Sequence, residues 1–248
     1  RKFGGLKGGN MAKKRMLIVI PAFNEQENIV QVVADTRLHQ PDADILVVND
    51  CSFDDTYQVA CSVASPCVKV VNQAVNLGIG GTMQTGFKYA LQNDYDYMVQ
   101  VDGDGQHLPA EIDKLRQAMA EHDYDMVIGS RFLDIKSNST TKLRRCGIKF
   151  FYYLFKMLIN VSITDSTSGF RIFNKNSIKV LSKHYPDDYP EPDAVIILHK
   201  HHLKTGEVGV FMKPRLHGHS SITALHSPYY MIKVINSILF THIRTRWY

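Results

Sequence analysis

The sequence predicts an α/β fold: a single Rossmann-like domain with a mostly parallel central sheet, followed by a C-terminal amphipathic helix. Two patterns predict it. Short apolar runs alternate with longer stretches of helical spacing, and the polar residues with most chemical capacity fall where those runs end. Repeated strand and helix alternation requires right-handed crossovers with helices on both faces of the sheet. Sheets of this kind bind ligands beyond the carboxyl ends of their strands.

The elements follow in order. A first strand is expected over Met16–Ile20, then a helix over about Glu25–Leu38, a strand over Ile45–Asn49 and a helix over about Asp54–Ala64. Val68–Val71 reads as a strand, Gly80–Leu91 as a helix, Met98–Val101 as a strand, Pro109–Glu121 as a helix opened by its proline, and Met126–Ile128 as a strand. The pattern then loosens. A basic, aromatic helix is expected over Lys142–Ile159, a short strand over Phe170–Phe173, a helix over about Asp193–Thr205 and a strand over Val208–Lys213. In Ser227–Ile243 the residues Met231, Val234, Ile235, Ile238 and Leu239 recur at helical spacing, with Tyr229, Tyr230 and Lys233 at the edges. Such a helix packs on a core or lies on an anionic membrane surface. The expected division is a basic, Gly-rich leader over 1–14, one domain over 15–224 and the terminal helix over 225–248.

Composition narrows the function. Lys and Arg exceed Asp and Glu by 29 to 24, and the excess gathers in the leader, over Lys136–Lys149 and from Lys200 to Arg246. No nucleic-acid-binding motif accompanies these patches, so nucleic acid is excluded as a partner and phosphate or anionic lipid is favoured. Cys51, Cys61, Cys67 and Cys146 show no metal-ligand spacing and are too few to staple the chain, which points to reduced thiols in a cytosolic setting. The late histidines, among them His199, His201, His202, His217 and His219, have no structural-zinc pattern around them. No apolar run reaches the roughly 18 residues of a membrane span.

The expected strand ends collect four polar loops: Pro21-Ala22-Phe23-Asn24-Glu25, Asn49-Asp50-Cys51-Ser52, Asn76-Leu77-Gly78 and Asp102-Gly103-Asp104-Gly105-Gln106. Asx-rich turns also arise as helix caps, but four at one sheet edge favour a site. Asp102 and Asp104, with Gln106, offer hard oxygen ligands at the tip of the fourth strand. That set suits Mg2+ or Mn2+ carrying a diphosphate.

Taken in order, these residues resemble the family 2 inverting glycosyltransferases, in the branch of polyprenyl-phosphate sugar synthases similar to dolichyl-phosphate mannose synthase. The match runs from about Met16 to Ser221. It includes Pro21-x-x-Asn24-Glu25, the loop Asn49-Asp50-x-Ser52-x-Asp54-x-Thr56, Asn76-x-Gly78, and Asp102-x-Asp104-x-Gln106. Gly129-Ser130-Arg131, Thr167-Ser168-Gly169-Phe170-Arg171 and Arg215-x-x-Gly218-x-Ser220 also fit. Asn49 replaces the family's first Asp, and its amide can still pair with a uracil edge.

The resemblance implies a GT-A type domain that binds a nucleotide sugar, with UDP as the expected nucleotide, through Pro21, Ala22, Asn24, Glu25, Asn49, Asp50, Asn76, Gly78, Asp102 and Gly103. It implies a metal held by Asp102, Asp104 and Gln106. Phosphate or acceptor contacts are implied for Arg131, Arg144, Arg145, Ser168, Arg215 and Ser220, since guanidinium groups bind phosphate bidentately. Asp102, Asp104 and Arg131 are then catalytic, and Asp193 is a candidate base or the cap of its helix, with Glu191 a weaker candidate. The expected acceptor is a polyprenyl phosphate such as undecaprenyl phosphate at the cytosolic face of the membrane, with the enzyme peripheral there. The alternatives are a saccharide hydroxyl in cell-surface polysaccharide assembly and a non-catalytic sugar-nucleotide-binding scaffold. A small membrane partner protein and oligomerisation stay open.

Overall fold

The computed structural model describes residues 14–133, 142–186, 190–213 and 227–244. Its strands are Met16–Ala22 (β1), Asp44–Asn49 (β2), Val68–Asn72 (β3), Tyr97–Gln100 (β4), Met126–Ser130 (β5), Arg171–Asn174 (β6) and Thr205–Gly209 (β7). The helices are Ile29–His39 (α1), Thr56–Ser62 (α2), Gly78–Gln92 (α3), Ile112–His122 (α4), Lys142–Ile159 (α5), Lys175–His184 (α6), Pro190–Lys200 (α7) and Ser227–Arg244 (α8).

The strands form one sheet in the order β3-β2-β1-β4-β6-β5-β7. β1 runs parallel to β2 and β4, β2 to β3, and β5 to β7, whereas β6 is antiparallel to both β4 and β5. Each central strand feeds two cores, because successive side chains leave opposite faces. Leu17, Val19, Leu46 and Val48 pack with Met83 and Phe87 of α3 on one side. Ile18, Ile20, Ile45 and Val47 pack with Ile29 of α1 and Ile112 and Leu115 of α4 on the other. Burial on both faces explains the uninterrupted apolar reading of β1 and β2.

The sheet is mostly parallel, as the sequence predicts, and the differences lie in the second half. The antiparallel insertion of β6 brings Arg171 opposite Gln100, at the carboxyl end of β4. α6 has no counterpart among the expected elements. The Asn174 side chain caps it by accepting the Ser177 N–H at 3.0 Å, and only Ile178 and Leu181 mark its buried apolar stripe. α7 and β7 both begin three residues before their expected starts. Pro190 fits the first helical turn, where its missing N–H has no partner to lose, and His202, with φ of 58°, lies just beyond the helix end. Asp125 Oδ2 then accepts the Lys204 N–H at 2.8 Å, fixing the entry to β7. Among the described residues no helix is long and apolar enough to cross a membrane.

Candidate active site

A cleft of about 210 Å³ opens beyond the carboxyl ends of β1, β2 and β4. It is lined by Pro21, Ala22, Phe23 and Glu25 after β1, Asp50 after β2, Ile79 and Thr82 of α3, Gln100 and Asp102 to Asp104 around the end of β4, and Glu191 of α7. Five of these side chains are carboxylic acids, Glu25, Asp50, Asp102, Asp104 and Glu191, and no Lys or Arg stands among the lining residues.

Local hydrogen bonds fix the acids around β4 and β2. Gln100 Nε2 donates to Asp102 Oδ1 at 3.1 Å, and the buried Gln100 Oε1 has no partner among the described residues. The Asp102 backbone N–H donates to His107 Nδ1 at 3.0 Å. That bond makes Nδ1 the acceptor and leaves the ring proton on Nε2, which lies 3.6 Å from Asp102 Oδ2. The His107 ring stacks on Phe170, with centroids 4.9 Å apart. Asp104 Oδ1 accepts the Gln106 N–H at 3.0 Å, closing the turn in which Gly105 has φ of 75°. Asp50 Oδ1 accepts the Leu77 N–H at 2.7 Å, which draws the start of α3 towards the cleft.

The antiparallel strand brings a second wall. A Cβ on Gly169 would lie 2.7 Å from Gln100 Nε2 and 3.1 Å from both Asp102 carboxylate oxygens, so a side chain here would have to push the Gln100 amide and the Asp102 carboxylate aside. Arg171 is fully buried beside it, and its guanidinium donates to the carbonyls of Ser166, Ser168 and Glu191, each at 2.7 Å. Burial lowers its proton affinity. One arginine thus ties the Thr167–Arg171 turn to the start of α7, where Glu191 enters the cleft. Burial pushes the Glu191 carboxyl above the usual carboxylate range, with Arg171 opposing.

The expected site residues sort into three groups. Pro21, Ala22, Glu25, Asp50, Asp102, Gly103 and Asp104 line the cleft. Asn24, Asn76 and Gly78 brace its loops: Asn24 Oδ1 accepts the Phe53 N–H at 2.9 Å, and Asn76 donates to Asp50 O at 3.1 Å and accepts from Gly78 N at 3.2 Å. Gln106 is outside the lining residues, and its Nε2 lies 3.5 Å from Lys213 O.

Four further expected site residues are engaged by neighbours in the fold. Asn49 is buried with both ends of its amide engaged, by Asn72 Oδ1 and by the Ser52 hydroxyl at 2.6 Å each, so it braces the loop rather than presenting a base-reading edge. Ser168 donates to Gly129 O at 2.7 Å and accepts from Phe170 N at 3.3 Å, so its buried hydroxyl holds the turn instead of facing a phosphate. Arg131 forms a bidentate pair with the fully buried Asp165, through Nε and Nη2 at 2.7 Å each, so it neutralises a structural acid. Asp193 is outside the lining residues, and its Oδ2 accepts the hydroxyls of Ser237 and Thr241 on α8 at 2.6 and 2.9 Å. Arg144 and Arg145 fall in the first turn of α5. Arg215 and Ser220 lie outside the described residues. His107, Gln100 and Thr82 join the site without having been singled out for it, the adjacency of His107 to the Asp-x-Asp-x-Gln run being the available signal, while Gly169 stands in the Thr167–Arg171 segment that the resemblance covers.

The fold and this cleft define an α/β transferase domain of the GT-A type. The chain belongs to glycosyl transferase family 2, whose model matches residues 17–181. It is 33% identical over 220 residues, 81% of this chain and 86% of the other, to the UDP-N-acetylglucosamine–dolichyl-phosphate N-acetylglucosaminyltransferase of Methanococcus voltae. It is 31% identical over 170 residues to the undecaprenyl-phosphate mannosyltransferase of Micrococcus luteus, covering 67% of this chain and 69% of that one. In fold it is similar to glucosyl-3-phosphoglycerate synthase from Mycobacterium tuberculosis, solved in complex with Mn2+, UDP and phosphoglyceric acid. The TM-score is 0.67 at 16% identity, covering 93% of this chain and 79% of that chain. The chain is a glycosyltransferase.

Proposed function

We propose that the chain transfers one sugar, with inversion, from a nucleotide sugar to a polyprenyl phosphate at the cytosolic membrane face, with UDP as the donor nucleotide. The observation that carries this reading is the charge of the cleft. Among the described lining residues five acids and no Lys or Arg face a diphosphate, and like charges at close range repel. Asp102 and Asp104 are hard oxygen donors at one strand end, beside the unpartnered Gln100 Oε1, and this set fits Mg2+ or Mn2+. When bound, such an ion neutralises charge on the leaving diphosphate.

The chain's own residues do the remaining work. The β1 and β2 loops, with Asp50 and the start of α3, form the nucleoside end of the cleft. Gly169 and Arg171 fix the opposite wall, and Glu191 stands there for the sugar. The phosphate oxygen of the acceptor bonds to the anomeric carbon as the bond from that carbon to the diphosphate oxygen breaks. No proton need move, because the lipid phosphate is already anionic at neutral pH. A saccharide hydroxyl would require a base. Glu191, the acid that α7 brings to the cleft, is the candidate base for that second reading, transfer into cell-surface polysaccharide.

Purified protein incubated with labelled sugar nucleotide, Mn2+ and undecaprenyl phosphate is expected to give organic-extractable label that mild acid releases. Label in polysaccharide, with none in the lipid fraction, would favour the second reading.

A further inference from the structure

Glu191 and Asp193 stand two residues apart in the first turn of α7 and face different neighbours. Glu191 lines the cleft, while Asp193, 1% exposed, accepts hydroxyls of Ser237 and Thr241 on α8. Ser237 and Thr241 are four residues apart, so they share one face of α8 one turn from each other. Ile238 between them is fully buried in the core that also holds Ala194 to Leu198 of α7. On other faces of α8, Phe240 is 74% exposed and Ile243 57%. One turn of α7 is therefore clasped from two sides: Arg171 holds the Glu191 carbonyl at 2.7 Å, and α8 holds the Asp193 carboxylate.

We propose that Asp193 is a positioning residue through which α8 sets Glu191 in the sugar end of the cleft, making the peripheral helix an outer part of the donor site. This rests on the nucleotide-sugar reading of the cleft. The sheet order supports the polarity. Asp50 follows β2 on one side of β1, whereas Glu191 is tied to Arg171 of β6, beyond β4 on the other side. A shift of the α7 turn therefore moves the sugar wall and leaves the nucleoside wall in place. A helix lying on a surface would in this way report its seating to the cleft.

The test uses variants on α8, remote from any ligand. In the Ser237→Ala/Thr241→Val protein, titration calorimetry with Mn2+ is expected to show severalfold weaker binding of the intact UDP-sugar and unchanged binding of UDP. In a Glu191→Ala background the same pair of changes should add nothing, because the group they position is gone. Ser237→Thr, which keeps the hydroxyl, should stay near wild type. Equal losses for UDP and UDP-sugar, or additive effects with Glu191→Ala, would overturn the proposal.

Amide hydrogen exchange over residues 190–194 gives a readout that needs no ligand. The double variant is expected to exchange severalfold faster there than wild type, with β1 and β4 unchanged. Unchanged protection of that turn would overturn the coupling. Failure of the wild type to bind any nucleotide would instead sink the donor reading while the exchange result stood.

Discussion

Two surfaces of this molecule carry opposite chemistry. Among the described residues the cleft is lined by five carboxylic acids and no Lys or Arg, whereas α5 and α8 together contain no acid at all. α5 carries Lys142, Arg144, Arg145, Lys149 and Lys156, and α8 carries Lys233 and Arg244. Both helices also expose apolar side chains at helical spacing, Phe150, Tyr153 and Met157 on one and Leu239, Phe240 and Ile243 on the other. The contrast separates two tasks. On the proposed reading the acidic cleft takes its diphosphate together with a cation, and the acid-free amphipathic helices lie against an anionic lipid surface.

The sharpest way to break the comparison is at the acidic end. Asp104→Asn keeps the shape of the turn and removes one negative oxygen, and we expect turnover to fall by about 10²–10³-fold, the scale of losing one electrostatic contact to a developing charge. The melting temperature should stay near that of the wild type; transfer assays beside thermal melts check both.

Arg131 sharpens the boundary, because a phosphate clamp and a structural counter-ion predict different losses. With the Asp165 side chain fully buried and that of Arg131 31% exposed, Arg131→Ala should destabilise the fold by about 2–3 kcal/mol, somewhat below the range for removing one partner of a fully buried pair. Urea unfolding measures this. A stability change near zero with a large loss of activity would restore the clamp.

On the acid-free face, Phe240→Ser should leave stability within about 0.5 kcal/mol, since the ring is exposed. Binding to phosphatidylglycerol vesicles, followed by co-sedimentation, should weaken severalfold if α8 seats there.

The smallest effect is pH-dependent. Glu191 is raised by burial, so the folded state favours its protonated form, and the acid form is stabilising below the ordinary carboxylate value. As pH rises through the raised folded value, the wild type loses that contribution and the Glu191→Gln protein does not. Urea midpoints of the two proteins should converge near about pH 4 and separate at higher pH, with the neutral Glu191→Gln variant the more stable.

Much of the first half was legible in the sequence, for a physical reason. β1, β2 and their loops are short, local βα units whose strands are buried on both faces, so apolar runs and Asx-rich ends mark them directly. The second half depends on contacts distant in sequence. The antiparallel placement of β6 goes with Arg171 reaching the carbonyl of Glu191, twenty residues on, and no local pattern encodes that. α6 escaped notice because two buried apolar residues are too few for a clear period. At the site, Asp102 and Asp104, singled out by residue type, line the cleft. Asn49, Ser168, Arg131 and Asp193, singled out in the same way, have polar groups engaged by neighbours in the fold, which residue type does not reveal.

The proposed cation requirement of the cleft is open to one direct measurement: titration of UDP into the wild-type protein with Mn2+ and, separately, with EDTA. Binding with Mn2+ and none with EDTA is the predicted result, with the Mn2+ gain lost in Asp104→Asn. Equal affinity in Mn2+ and EDTA would contradict the account.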